Sequence, residues 1–276
     1  MRRAVVLLAL ALVGCASLPD PAERRAAAQQ LAQARGWQRL QLGGGAHALT
    51  AFGPPPMANT PGVERVLTVY IEGDGLAWLS TSRPSPDPTP VHPVALHLAL
   101  AQPEGTAIYL ARPCQYQDRA GTCTPKDWTS ARFSEAAVSA TDQALDHLLR
   151  HHQAQGLHLV GYSGGAAIAA LVAARRIDVR SLTTVAGNLD HARWTRLHGL
   201  TPLAGSLNPA GVSASLSGLA QWHLVGANDP VIPVVLAQGF LALQHVGGQG
   251  SLRVLAGFDH RCCWAEAWPR LWRETR

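Results

Sequence analysis

The chain has 276 residues, 47% of them hydrophobic and 15% charged, which supplies enough apolar material for a substantial core and excludes a disordered polar polymer. Its formal net charge of +5 is almost wholly arginine, since Lys126 is the single lysine. Those arginines are scattered rather than bunched, which argues against a nucleic-acid partner.

Arg2 and Arg3 precede an apolar run, 4–13, that is too short for a comfortable membrane span and suits the core of a signal peptide. The run ends in Leu12-Val13-Gly14-Cys15, which resembles the bacterial lipobox. That resemblance implies removal of 1–14 as a signal peptide and lipidation of Cys15. With Ala16 and no aspartate following, it also implies a place in the cell envelope, anchored to the outer membrane on its periplasmic side. Residues 15–40 are expected to form the lipidated cysteine and a tether or leading helix outside the core, and 41–276 one domain.

Export makes the remaining cysteines, Cys114, Cys123, Cys262 and Cys263, an even set in a disulfide-permissive compartment with three full pairings. Cys114 with Cys123 is the simplest local loop. It leaves Cys262 and Cys263 adjacent, where a bridge needs unusual geometry, whereas cross-pairing would tie the two regions together. Two separated C-x-x-C units are missing, which disfavours a zinc site, and no metal or cofactor is expected.

Further along, 36–50 is read as a first strand with Gly43-Gly44-Gly45 as breaker, and 52–62, with four prolines, as a loop. Residues 63–71 have the β-branched, apolar character of a buried strand and end in Glu72-Gly73-Asp74-Gly75. An irregular stretch, 80–93, leads to a short helix over 94–101, a strand over 106–111, a cysteine-flanked loop and a helix over 129–151. Strands follow at 157–162, 182–186, 222–225 and 252–255, with helices at 166–176, 234–243 and 264–273. The stretch 188–218 is too short for a cap domain and is expected to form a small lid carrying Trp194, Leu197 and Leu200. Trp128 and Trp264 are read equally as cleft wall or core packing. Strands alternating with helices predict an α/β fold, a mostly parallel central sheet with helices on both faces and its site along one edge.

Gly161-Tyr162-Ser163-Gly164-Gly165 stands between a strand and a small-residue helix. In G-x-S-x-G the serine occupies a strained strand-to-helix turn, its Oγ exposed beside free helix N–H groups that suit a developing oxyanion. Two later strands end in turns that carry an acid, Asp229 within Gly226-Ala227-Asn228-Asp229-Pro230, and a histidine, His260 within Gly257-Phe258-Asp259-His260. Over roughly 65–268 these segments, in the order Ser, Asp, His, resemble the α/β-hydrolases. The resemblance implies Ser163 as nucleophile, His260 as general base and Asp229 as the group orienting it. It also implies the Gly164 amide as one oxyanion donor and Asp74 or Gly75 as the other. Glu72 replaces the histidine commoner in that family, so Glu72 and Asp74 must point away from the anion or pair with a base such as Arg112. Asp190, after the 182–186 strand, is the alternative triad acid. Asp259 adjoins His260 and is expected to diverge from it. His147, His151, His152, His158 and His223 are read as surface or packing residues, and His191 and His198 as residues that line the pocket or pack.

The implied activity is cleavage of a small-molecule or lipid carboxylic ester through an acyl-enzyme. Thioesterase, peptidase and polyester depolymerase readings share the same triad, and a non-catalytic envelope protein on this fold is the alternative outside enzymology. Replacement Cys15→Ser is expected to yield a soluble or uncleaved protein; membrane attachment through a lipidated residue that persists in this variant would refute the lipobox reading.

Overall fold

The computed structural model describes residues 18–43, 47–57, 62, 64–117 and 123–275. The signal-peptide and lipidation expectations, Cys15 included, lie outside these residues, as do Gly44 and Gly45 of the expected breaker.

Among the described residues, ten strands and seven α-helices alternate along most of the sequence. The strands are β1 (Gln38–Leu42), β2 (Leu49–Gly53), β3 (Val66–Ile71), β4 (Trp78–Ser80), β5 (Arg83–Pro84), β6 (Thr106–Leu110), β7 (Gly156–Tyr162), β8 (Val179–Val185), β9 (Ala220–Gly226) and β10 (Gly250–Leu255). The helices are α1 (Pro21–Gln33), α2 (Val94–Leu100), α3 (Glu135–His152), α4 (Gly164–Ala173), α5 (His191–Leu197), α6 (Val234–Leu241) and α7 (Trp264–Arg273). Eight strands form one sheet in the order β1-β2-β6-β3-β7-β8-β9-β10, while β4 and β5 pair separately. From β6 to β10 every pairing is parallel, and β1 and β2 close one edge antiparallel.

Period-two alternation sends each strand's residues to two different cores. Leu67, Val69 and Ile71 of β3, with Leu157 and Leu159 of β7, pack beneath α3 and α4, where Phe240 of α6 joins them. Tyr70, Val160 and Tyr162 face the other way, against α2 and α7. Helix α4 is buried along its whole length, as its unbroken run of small and apolar residues requires. Helix α7 buries only Trp264, Trp268, Leu271 and Trp272, a stripe at helical spacing. Trp264 is therefore a core residue rather than cleft wall.

Several expectations are corrected. Helix α1 is not a tether outside the core. It starts in a capping box, with the Asp20 carboxylate accepting from the Glu23 amide at 2.8 Å and the Glu23 carboxylate accepting from the Asp20 amide at 3.0 Å. Ala28 and Ala32 then press into the α2/α7 core, small enough to let the helix lie close. Arg24, buried, donates to the Thr89 carbonyl and pairs with Asp87 at 3.7 Å. The stretch 36–50 holds two strands rather than one, and Phe52, expected in a loop, is buried in β2. Helix α3 begins at Glu135 rather than 129, because the Ser134 hydroxyl accepts from the Ala137 amide at 3.3 Å and caps it there. Within 188–218 a short helix, α5, and two single 3₁₀ turns replace an irregular lid, and Leu197 and Leu200 are exposed to solvent rather than laid over a cleft.

Both local cysteine pairs are bridged, Cys114 to Cys123 and Cys262 to Cys263. The first packs with Ala77 against Trp128, whose indole donates to the Ser85 carbonyl at 3.1 Å, so Trp128 is also a packing residue. Trp268 is completely buried and donates to the Tyr70 hydroxyl at 2.9 Å, tying α7 to β3. Replacement Trp268→Ala should cost about 3–5 kcal/mol through the cavity and the lost bond. It should lower the denaturant midpoint accordingly, and an unchanged midpoint would show that α7 does not depend on this anchor.

Candidate active site

Strand β7 delivers Ser163 to the centre of the sheet's loop-bearing edge. Ser163 has φ 52° and ψ −118°, a conformation that costs a non-glycine residue energy and is held by its surroundings. Close packing does the holding. A Cβ on Gly161 would lie 2.4 Å from Ala166 Cα, and one on Gly165 would lie 2.2 Å from the Ile71 carbonyl oxygen. The Ser163 amide donates to the Val185 carbonyl at 2.9 Å, and its carbonyl accepts from the Asn188 amide at 3.0 Å, fastening the turn to β8 and the loop beyond it.

His260 and Asp229 reach the same point from neighbouring strands. His260 Nε2 is 3.1 Å from Ser163 Oγ, and its Nδ1 is 2.9 Å from Asp229 Oδ2. The other carboxylate oxygen, Oδ1, accepts from the amides of Val231 and Ile232, both at 2.8 Å. With an ionised Asp229 on Nδ1, the ring proton belongs on that nitrogen, and Nε2 is free to accept from the serine hydroxyl. The Asp229 side chain is fully buried and that of His260 is 15% exposed, so the carboxylate is shielded while the imidazole meets the cleft. Tyr162 donates its hydroxyl to the His260 carbonyl at 2.9 Å and holds the histidine loop over the turn.

The competing acids are engaged elsewhere. Asp190 caps α5, where its Oδ1 accepts from the Arg193 amide at 3.0 Å and from Asn208 Nδ2 at 2.8 Å. Asp259 accepts from the amides of Arg261 at 2.7 Å and Cys262 at 2.6 Å, within its own turn. His223 is completely buried, 2.8 Å from Thr184 Oγ1, and burial pulls its pKa down to about 4.

Above Ser163 the chain from Glu72 to Gly75 forms one wall of a cleft of about 350 Å³ that also admits Arg132, Trp194 and His260. The amides of Asp74, Gly75 and Gly164 donate to no partner among the described residues. Gly73 lies close to Ser163, since a Cβ there would sit 3.3 Å from Ser163 Cβ. Asp74 does pair with Arg112, at 3.3 Å, and also with Arg132, at 2.6 Å. Burial pulls the Arg112 guanidinium down to about 10, with Asp74 opposing that shift. Glu72 points into the protein, and its Oε1 accepts from the Gly73 amide at 2.8 Å. Of the expected lid residues, Trp194 lines the cleft and donates to the Val231 carbonyl at 2.8 Å. His198 lies beside it, 3.0 Å from the same carbonyl, and His191 is buried next to Phe133.

Arg132, Asn188 and Trp78 also line the cleft, and the sequence reading did not single them out. Arg132 and Asn188 sit in loops without a recognisable motif, and Trp78 begins the short β4 strand. The one available signal was that Asn188 follows a strand on the active edge.

The arrangement is that of the α/β-hydrolase fold, and comparison with solved structures agrees. The 2,6-dihydroxy-pseudo-oxynicotine hydrolase superposes with a TM-score of 0.62 at 14% identity, over 92% of this chain and 72% of that one. An esterase from Pyrococcus furiosus gives 0.56 at 11%, over 86% and 89%. A serine hydrolase without lid from Xanthomonas campestris gives 0.53 at 17%, over 86% and 94%. At such identities the likeness establishes the fold. No protein-family model and no curated protein matches the sequence.

Glu72 supplies a pH-dependent stability. Complete burial pushes its pKa up from 4.5 to about 7, against the amides of Gly73 and Ala95. The folded protein therefore holds this proton more tightly than the unfolded chain, and stability contributed by the neutral acid is lost as pH rises from about 4.5 through 7. Replacement Glu72→Gln should remove that loss. Relative to wild type, its unfolding free energy should gain about 3 kcal/mol between pH 4 and pH 8.5, read by urea denaturation at each pH. A difference that stays flat across this interval would mean that Glu72 titrates as in water.

Proposed function

We propose that this chain is a serine hydrolase that cleaves carboxylic esters through an acyl-enzyme. The observation that carries the proposal is the continuous chain from Asp229 Oδ2 through His260 to Ser163 Oγ, with bonds of 2.9 and 3.1 Å. A serine hydroxyl is too weak an acid to attack unaided near neutrality, and a neutral imidazole within hydrogen-bond reach removes that obstacle. Ser163 Oγ attacks the acyl carbon as its proton passes to His260 Nε2. The carbonyl electron pair moves onto oxygen, facing the Gly164 amide and that of Asp74 or Gly75. Collapse of this intermediate expels the alcohol oxygen, which takes the proton from His260. Water then repeats the sequence on the acyl-enzyme, His260 accepting its proton and returning it to Ser163, and a carboxylic acid leaves. Asp229 keeps the imidazole in the working tautomer and stabilises its charged form throughout.

The walls of the cleft favour an ester with a modest apolar portion. Trp78, Trp194, Val231 and Ile232 provide apolar contact, and the cleft of about 350 Å³ is small. We also propose attachment to the envelope through Cys15, on the strength of the lipobox resemblance alone.

A fluorophosphonate probe is expected to label Ser163 in the wild type and not in Ser163→Ala. Asp229→Asn should retain the fold and lose about 10⁴-fold in kcat, as expected for a wrong tautomer. Hydrolysis of p-nitrophenyl esters of graded acyl length, set beside matched thioesters and amides, identifies the acyl preference and separates esterase from thioesterase and peptidase. A folded wild type that neither takes the probe nor hydrolyses any member of the panel would sink the proposal.

A further inference from the structure

We infer that Arg112 and Arg132, gripping Asp74 from two sides, form a clamp that positions and charge-balances the wall of the oxyanion site opposite Ser163, with Arg132 as its key positioning residue. The inference rests on the serine-hydrolase reading and assigns a role within it to residues that take no part in proton transfer.

The need for such a clamp follows from where Asp74 lies. Its carboxylate packs against Gly164, so closely that a Cβ there would come within 2.1 Å of Asp74 Oδ1. The Gly164 amide is a proposed oxyanion donor, and a bare carboxylate beside it would repel the charge that develops on the substrate oxygen. Two guanidinium groups answer that charge, Arg132 Nη1 at 2.6 Å from Oδ2 and Arg112 Nη1 at 3.3 Å from Oδ1. The side chains of Arg112 and Arg132 are 5% and 7% exposed, while Asp74 is 19% exposed. The cluster therefore carries one net positive charge beneath the oxyanion position instead of one negative charge.

The clamp is itself anchored. Arg132 Nε donates to the Thr129 carbonyl at 2.7 Å, and Arg112 donates through Nη2 to the carbonyl of Arg132. Gln115 completes the frame: its Oε1 accepts from the Arg112 amide at 3.0 Å, and its Nε2 donates to the Gly73 carbonyl at 3.0 Å. The Gly73–Asp74 segment is thus held at a carbonyl and at a carboxylate by the same group of buried side chains, which leaves the Asp74 amide pointing from a fixed frame. Preorganised donors of this kind act only as charge develops in the transition state, so their loss falls on kcat rather than on KM.

The test measures kcat and KM for p-nitrophenyl butyrate in the wild type, Arg132→Gln, Arg132→Lys and the double variant Arg132→Gln/Asp74→Asn, with circular dichroism and thermal melts confirming the fold. Arg132→Gln is expected to lower kcat about 10- to 100-fold, somewhat less than the loss of an entire oxyanion donor, with KM within about threefold of wild type. Arg132→Lys, which keeps the charge, should stay within about tenfold of the wild-type kcat. The double variant, which removes the unbalanced carboxylate as well, should recover at least about fivefold over Arg132→Gln. A purely structural ion pair predicts no such recovery.

The clamp is overturned by an unchanged kcat in folded Arg132→Gln, by a rise in KM alone, or by a double variant no better than the single one. If Arg132→Gln does not fold, Arg132→Lys decides: a kcat lowered about three- to tenfold at unchanged KM supports the clamp, and an unchanged kcat or a larger loss overturns it. A wild type that labels with fluorophosphonate and turns over ester while these variants match it discards the clamp alone. A wild type inert to both discards the hydrolase reading with it.

Discussion

The close approach of β7, α4 and the end of β3 is the constraint on which the remaining architecture depends. Gly161 and Gly165 allow backbone to touch backbone at this crossing, and the price of that contact is a serine held at positive φ. A strained residue persists only where its surroundings over-determine it. Here the surroundings are the six parallel strands and the fully buried α4, so the deepest part of the fold and the exposed Oγ are stabilised by the same packing. The histidine loop and the Asp229 turn inherit their positions from that sheet, in which β9 and β10 run parallel to β7 on the far side of β8, so that their ends open on the same edge.

Two acids in the Glu72–Gly75 wall solve one electrostatic problem by different means. Glu72 turns inward, where desolvation favours its neutral form, so the carboxyl beneath the wall is still partly protonated near neutral pH. Asp74 is instead paired with two buried arginines. Removing one partner from such a buried set is costly because the remaining charges are left without water or counterion. The wall is thus sensitive to protonation at Glu72 and to loss of a charge partner at Asp74, although only one residue separates the two.

Much of the architecture was legible because the relevant signals are local. The β-branched run before Glu72, the small-residue run after Ser163 and the Trp264–Leu271 stripe each specify an element without reference to the rest of the chain. The positions of Ser163, Asp229 and His260 at strand ends were readable for the same reason, since each follows its strand within a few residues. What escaped was set by distant partners. Ala28 and Ala32 look alike on a solvated helix and on a docked one, and only Arg24 meeting Thr89 and Asp87 fixes which is true. Arg132 lies 58 residues from Asp74 in sequence, and nothing near it announces the pairing. Of the expected lid only Trp194 reaches the cleft, and Leu197 and Leu200 are exposed, as single leucines ordinarily are on protein surfaces.

The docking of α1 has a mechanical consequence. Only five residues lie between Cys15 and Pro21, the first residue of a helix fastened to the body of the protein. A fully extended chain of that length spans roughly 20 Å, so an acyl anchor on Cys15 would act as a short mooring rather than a long leash. The same helix grips the strap at Asp87 and Thr89, which runs directly into Pro90, Val91 and His92 at the mouth of the cleft. Orientation of the mouth toward a membrane would then be governed by the angle at which α1 leaves the lipid surface, and tension on the mooring would be felt first at the rim of the cleft.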